Sequence, residues 1–179
     1  MTEIANVYGG SLYDLALDEN LTKQLLDELA CLDQAFIQEP DFVRLLASVA
    51  LSKPERCQVV EDSFRNHFHP YVVNFLKILV EKGYIRHFSG CCKVYRDRYN
   101  ADNGILPVTA VTAIPLSDAL RQKLTDKLAT VTGKSIELTC KVDPDCLGGV
   151  RLDYDGKRLD DTVSHRLDAV RSLLKNTVL

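Results

Sequence analysis

Residues 143–167 hold the densest set of side chains capable of chemistry. The segment reads Asp143-Pro144-Asp145-Cys146-Leu147-Gly148-Gly149-Val150-Arg151-Leu152-Asp153-Tyr154-Asp155-Gly156-Lys157-Arg158-Leu159-Asp160-Asp161-Thr162-Val163-Ser164-His165-Arg166-Leu167. A glycine pair beside acids and cations is the raw material of a phosphate loop. Here the Lys-Ser/Thr pair and the directly following helix of such a loop are missing. Glycine inside a strand marks a bulge or a close backbone approach instead. Three carboxylate pairs (Asp143/Asp145, Asp153/Asp155, Asp160/Asp161) offer general acid–base catalysis, which needs them to converge in a cleft with unlike environments. They fall in a turn, a hairpin and a helix start, where aspartate serves as a cap and complements the helix dipole. His165 shares a helical turn with Asp161, with no nucleophile on the same face. An enzyme using Gly148-Gly149 with Asp145 or His165 remains the alternative reading of this stretch.

Elsewhere the chemistry is thinner. Six cysteines (31, 57, 91, 92, 140 and 146) show no CxxC spacing and are expected as free thiols. His67 and His69 near Cys57 lack a fourth zinc ligand at a sensible distance. No catalytic set, metal or cofactor is expected. The net charge of −3 and pI near 5.8 disfavour a nucleic-acid binder, although a helical RNA adaptor stays open. Residues 1–39 carry eight acids against Lys23 alone, either a solvated face or a surface favouring a basic partner. The N-terminus has no basic n-region, so no signal peptide is expected, and the most apolar run, 71–80, is too short to span a bilayer.

The elements that must position these residues fall into two patterns. Up to about residue 104 the period is helical. Ile4, Tyr8, Leu12 and Leu15 share one face; Leu21, Leu25, Leu29, Leu32 and Phe36 share the next. Pro40 opens a short third helix. Ser52-Lys53-Pro54-Glu55 is a capping box for a fourth. His69-Pro70 opens a fifth, ended by Gly83, and Tyr84 to about Ala101 makes a sixth. From 105 the chain alternates like strands at 106–114, 135–142 and 147–154. A helix capped by Ser117 runs through Leu120, Leu124, Leu128 and Val131 to Gly133. Asp155-Gly156 is a two-residue hairpin signal leading to a short returning strand, 157–159, and a last helix from about Asp161. The expected fold is an all-α six-helix bundle, 1–104, followed by a small α/β domain, 105–179. Gly9-Gly10 in the first helix costs about 1 kcal/mol per glycine against alanine. That cost favours a face where another helix approaches closely.

Taken together, these segments resemble the delta-subunit family of the bacterial-type proton-translocating ATP synthase, equivalent to the mitochondrial oligomycin sensitivity-conferring protein. Tyr8-Gly9-Gly10-Ser11-Leu12-Tyr13 is similar to its Tyr-Ala-x-Ala-Leu-Phe. Asn74-Phe75-Leu76-Lys77-Ile78-Leu79 through Gly83 is similar to Asn-Phe-Leu-x-x-Leu…Gly-Arg. Val111-Thr112-Ala113-Ile114-Pro115-Leu116 follows. Asp143 to Val150, and Asp160 onward, are similar to Asp-Pro-Ser-Leu-Ile-Gly-Gly-Val and Ile-Asp-Gly-Ser-Val…Arg-Leu. Departures are Gly9-Gly10 for Ala-x, Tyr84 for an arginine, and Asp160-Asp161-Thr162-Val163 for Asp-Gly-Ser-Val.

The resemblance implies a non-catalytic stator subunit of the peripheral stalk. It implies that the bundle binds the N-terminal helix of the alpha subunit in a groove between the first and fifth helices, at Tyr8, Ser11, Phe75 and Ile78. Tyr8 and Phe75 would be aromatic anchors. The C-terminal domain would bind the end of the b subunit, with Val170, Leu173 and Leu174 as a candidate patch. The implied location is the cytoplasmic face of the cell membrane, held there only through the complex.

Overall fold

The computed structural model describes residues 2–48, 50–163, 165 and 167. The backbone forms two compact units, Met1–Tyr99 and Asn100–Leu179. The division lies in the last turn of a helix rather than at the pattern change at 104/105.

The first unit is helical: α1 (Glu3–Asp18), α2 (Thr22–Gln38), α3 (Pro40–Leu46), α4 (Lys53–Phe64), α5 (Pro70–Lys82) and α6 (Phe88–Asp102). The stripes expected for α2 and α5 are buried, whereas of the α1 stripe Ile4, Tyr8, Leu12 and Leu15 only Leu12 is. Leu25, Leu29 and Leu32 of α2 and Val72, Leu76, Leu79 and Val80 of α5 are essentially inaccessible. Burying each such side chain stabilises the fold by roughly 1.5–3 kcal/mol before entropy is counted. Aromatic rings extend the core: Phe36 lies 5.0 Å from Phe88 and 6.2 Å from Phe64, and Tyr13 meets Tyr95 edge-on at 5.2 Å. The Tyr95 hydroxyl donates to the Thr22 carbonyl at 2.9 Å, so its one polar atom is satisfied.

Helix ends follow the local chemistry. Ser52 and Glu55 close the capping box in both directions, with the Ser52 N–H donating to Glu55 Oε2 at 2.8 Å and the Glu55 N–H to Ser52 Oγ at 3.4 Å. Hydrogen bonding from Ser52, its side chain first and then its backbone N–H, holds the Glu55 carboxyl below its ordinary pKa. Ser52→Ala is expected to cost about 1 kcal/mol of stability in urea unfolding, and an unchanged midpoint would contradict the capping role. His69 caps α5, its Nδ1 accepting the Tyr71 N–H at 3.3 Å, while the His69 N–H donates to Glu28 Oε2 at 2.7 Å. Gly83 sits at φ +77°, and the Gly83 and Tyr84 N–H groups bond back to Val80 and Leu79 in a Schellman turn. The sixth helix does not start at Tyr84 as expected. The tight turn is followed by a 3-10 turn, Ile85–His87, which buries Ile85, and α6 starts at Phe88.

The second unit is built on a four-stranded mixed sheet: β1 (Ile105–Thr112), β2 (Ser135–Val142), β3 (Val150–Tyr154) and β4 (Lys157–Asp160), in the order β2-β1-β3-β4. β1 and β2 are parallel, joined by α7 (Asp118–Thr132), and the other pairings are antiparallel. Register places Leu106, Val108 and Ala110 beside Ile136, Leu138 and Cys140, one apolar face. Asp155 and Gly156, at φ +46° and +70°, make the expected two-residue hairpin.

Four local expectations differ. β1 ends at Thr112, not Ile114, because the Thr112 hydroxyl donates to the Ile114 carbonyl at 2.8 Å and turns the chain. Ser117 takes the N-cap conformation without a side-chain cap bond. Leu120 and Val131, near the two ends of α7, are 53% and 84% exposed, so only Leu124 and Leu128 of that stripe are half-buried. β3 starts at Val150 because a 3-10 turn, Pro144–Cys146, and three positive-φ residues precede it. Val163, His165 and Leu167 are helical; Val170, Leu173 and Leu174 lie outside the described residues.

Candidate functional site

The chemically rich segment forms a shallow hollow of about 210 Å³ lined by Asp143, Asp145, Cys146, Arg151, Asp160, Thr162 and His165. Three of its side chains, Asp143, Asp160 and Thr162, are engaged by backbone amides. Asp143 Oδ1 accepts the Asp145 N–H at 3.1 Å, and Asp160 Oδ1 accepts both the Thr162 hydroxyl at 2.6 Å and its N–H at 3.1 Å. Those Thr162 bonds, the hydroxyl first, hold the Asp160 carboxyl below its usual range, the wrong direction for a general acid. Thr162 Oγ1 in turn accepts the His165 N–H at 3.2 Å, a helix-start bond. Burial pushes the Cys146 thiol up, with Asp143 adding to it, so it is not an activated nucleophile. Gly149 sits at φ +82°, and a Cβ there would lie 2.4 Å from the Asp161 carbonyl oxygen. The glycine is required by close backbone approach.

Cys91 and Cys92 are also buried in packing. Burial raises the Cys91 thiol to about 11, and that of Cys92 further still. Cys31 is exposed. Brief alkylation of the native protein at neutral pH is therefore expected to label Cys31 first and to spare Cys91 and Cys92 until denaturant is added, as read by mass spectrometry. Prompt labelling of Cys92 would overturn this packing.

Gly9 and Gly10 do admit a helix, and it is the chain's own α6. A Cβ on Gly9 would stand 2.5 Å from the Cys91 carbonyl oxygen and 3.0 Å from its Cα. Gly10 leaves room for the Arg98 guanidinium, whose Nη1 reaches Asp14 Oδ1 at 2.7 Å. With that face of α1 committed inward, the outer face carries Ile4, Tyr8, Ser11 and Leu15 at i, i+4, i+7 and i+11. Ile4 and Tyr8 are half-buried, Ser11 is exposed and Leu15 is 39% exposed. On α5 the same spacing picks out Tyr71, Phe75, Ile78 and Lys82. Ile78 is 45% exposed, whereas Phe75 is buried, 6.4 Å from Phe88. Tyr8 stacks edge-on at 5.8 Å against Tyr84, just past the end of α5. The sequence reading placed neither Tyr71 nor Tyr84 at the docking stripe. The i, i+4 spacing from Phe75 was the available signal for Tyr71; the Tyr84 contact depends on the Schellman turn. Spaced apolar positions of this kind suit an amphipathic helix laid along them.

The family model of the ATP synthase delta (OSCP) subunit matches residues 4–174. The chain belongs to that family. The delta subunit of Clostridioides difficile strain 630 is 32% identical over 176 residues, 98% of this chain and 97% of that protein. The delta subunit of Enterococcus hirae is 30% identical over 168 residues, 93% of each chain. A chain of the Toxoplasma gondii mitochondrial ATP synthase hexamer superposes with a TM-score of 0.75 over 97% of this chain and 98% of that one. At 19% identity that likeness speaks to the fold alone. Within this delta chain, the family's small residues at the Tyr8–Tyr13 segment are glycines, and they seat α6.

Proposed function

We propose how this delta subunit, a non-catalytic stator component of the ATP synthase peripheral stalk, makes its attachments. The outer stripe of α1, with Ile78 and its neighbours on α5, receives the N-terminal helix of an alpha subunit. The α/β unit receives the C-terminal end of the b subunit. The head is thereby held against rotor torque. The protein sits on the cytoplasmic face of the membrane through these contacts; among the described residues no helix is long and apolar enough to cross a bilayer.

The observation that supports the α1 site is the exposure of apolar residues on a well-packed helix. Val7 and Leu15 are 57% and 39% exposed although α1 buries Ala5, Leu12, Tyr13 and Ala16 on its other side. Tyr8 is the aromatic anchor, with one edge held by Tyr84. Phe75 contributes from beneath, as core that fixes the position of Ile78.

The chain contains no tryptophan, so a tryptophan on an alpha-subunit N-terminal peptide reports docking directly. Ser11→Asp and Ile78→Asp are each expected to weaken binding at least about tenfold, because each buries a charge without a partner. Both positions are exposed, so folding is retained, as a far-UV spectrum would verify. Unchanged affinity in both variants would sink the assignment of this surface. Phe75→Ala is a poorer probe, since a core truncation costs about 3–5 kcal/mol of stability by itself.

A further inference from the structure

The acidic bias of the first helix is unexplained by the fold. Glu3, Asp14 and Asp18 recur along one ridge of α1 at the helical period, with Val7 between them, directly beside the Ile4–Leu15 stripe. Asp14 is paired with Arg98. No cation is paired with Glu3 or Asp18 among the described residues. Asp18 and the following Glu19 also stand at the C-terminal end of α1, where no basic residue occurs in the last turn. Carboxylates there oppose the helix dipole and cost stability, about 0.3–1 kcal/mol each. α5 carries no matching acidic excess: its Glu81 is followed by Lys82, and its Lys77 is engaged with Glu61 at 3.0 Å.

We infer that this docking surface selects a cationic amphipathic helix, with lysine or arginine on the flank that lies over α1. The inference rests on the reading that the α1 stripe binds a helix, and adds the charge that helix must carry. An apolar stripe alone accepts any amphipathic helix. A carboxylate ridge along one side rejects acidic flanks, attracts basic ones and sets which side of the guest faces α1. Binding resolves the unfavourable placement of Asp18 at the helix end, because a guest cation next to it supplies the missing counter-charge.

The test uses the full chain and three designed peptides with one apolar face in common. Their flanks carry lysine, glutamine or glutamate, and a single tryptophan reports binding. At low ionic strength the lysine peptide is expected to bind about tenfold more tightly than the glutamine peptide, with the glutamate peptide weakest. The ranking is expected to collapse near 1 M salt, where the Debye length falls to about 3 Å. A Glu3→Gln/Asp18→Asn double variant is expected to erase the preference for lysine while leaving glutamine-peptide affinity unchanged. Equal affinity for all three peptides on the native chain, with Ser11→Asp still blocking them, overturns the charge inference and leaves the docking surface standing. Binding that Ser11→Asp and Ile78→Asp do not affect overturns the docking surface, and the inference with it.

Discussion

Gly9→Ala is expected to lower the melting temperature of the helical unit by about 10 °C, although alanine is the better helix former. The substitution restores roughly 1 kcal/mol of helix propensity. Against that, the new methyl meets the Cys91 carbonyl oxygen at 2.5 Å and the Cys91 Cα at 3.0 Å. These are backbone atoms inside α6 and cannot rotate aside, so α1 and α6 must separate. Overpacking costs about 1–3 kcal/mol and occasionally more. Contact with backbone places this case at the top of the range, and a net loss near 2 kcal/mol corresponds to about 8–16 °C for a unit of this size. Gly10→Ala is the control. Its Cβ would meet the tip of Arg98 at 2.8 Å, the far end of a flexible side chain that can swing away. That variant is expected to be near neutral. A rise in melting temperature for Gly9→Ala would show that the two helices are not in backbone contact.

The second large effect is expected at Gly149→Ala, at roughly 3 kcal/mol. Two costs add. The φ of +82° lies in the region that costs L-residues about 1–2 kcal/mol. The Cβ would also lie 2.4 Å from the Asp161 carbonyl oxygen and 3.0 Å from the Thr162 Cα. The bonds at risk are Asp161 N–H to the Val150 carbonyl at 3.2 Å and Val163 N–H to the Gly148 carbonyl at 3.0 Å. Amide hydrogen exchange at Asp161 and Val163 is therefore expected to accelerate more than at Val108 or Ala110 of the central strand. Gly148→Ala meets only a Val163 methyl at 3.4 Å and is expected to cost less. Equal protection in Gly149→Ala and the parent would refute the close approach.

Much of the helical unit was legible from sequence because its signals are local. The Ser52-to-Glu55 box, His69-Pro70 and Gly83 act within four residues, and each terminates or starts the helix expected of it. The start of α6 was missed for a non-local reason: Tyr84 and Ile85 are drawn off the helical path by contacts with Tyr8 and the core. In the α/β unit the alternation at 135–142 gave β2 its limits. At 147–149 alternation failed, because the glycine conformations there are dictated by a chain segment about a dozen residues away.

The four docking positions, Tyr8, Ser11, Phe75 and Ile78, came from the family resemblance and not from spacing. The resemblance did not distinguish the exposed Ile78 from the buried Phe75, positions about one helical turn apart.

Sequence by itself determined the order of a helical part and a small mixed sheet, and most of the helix ends. Periodicity, capping and turn chemistry are properties of neighbouring residues, and the four separated motifs fixed the family resemblance. Only the tertiary structure decided what the glycines are for. Gly9 and Gly149 each answer to backbone from a distant segment, 2.5 Å and 2.4 Å from where a Cβ would stand. The same packing turned one face of α1 toward α6, and so left its apolar and acidic ridges on the surface.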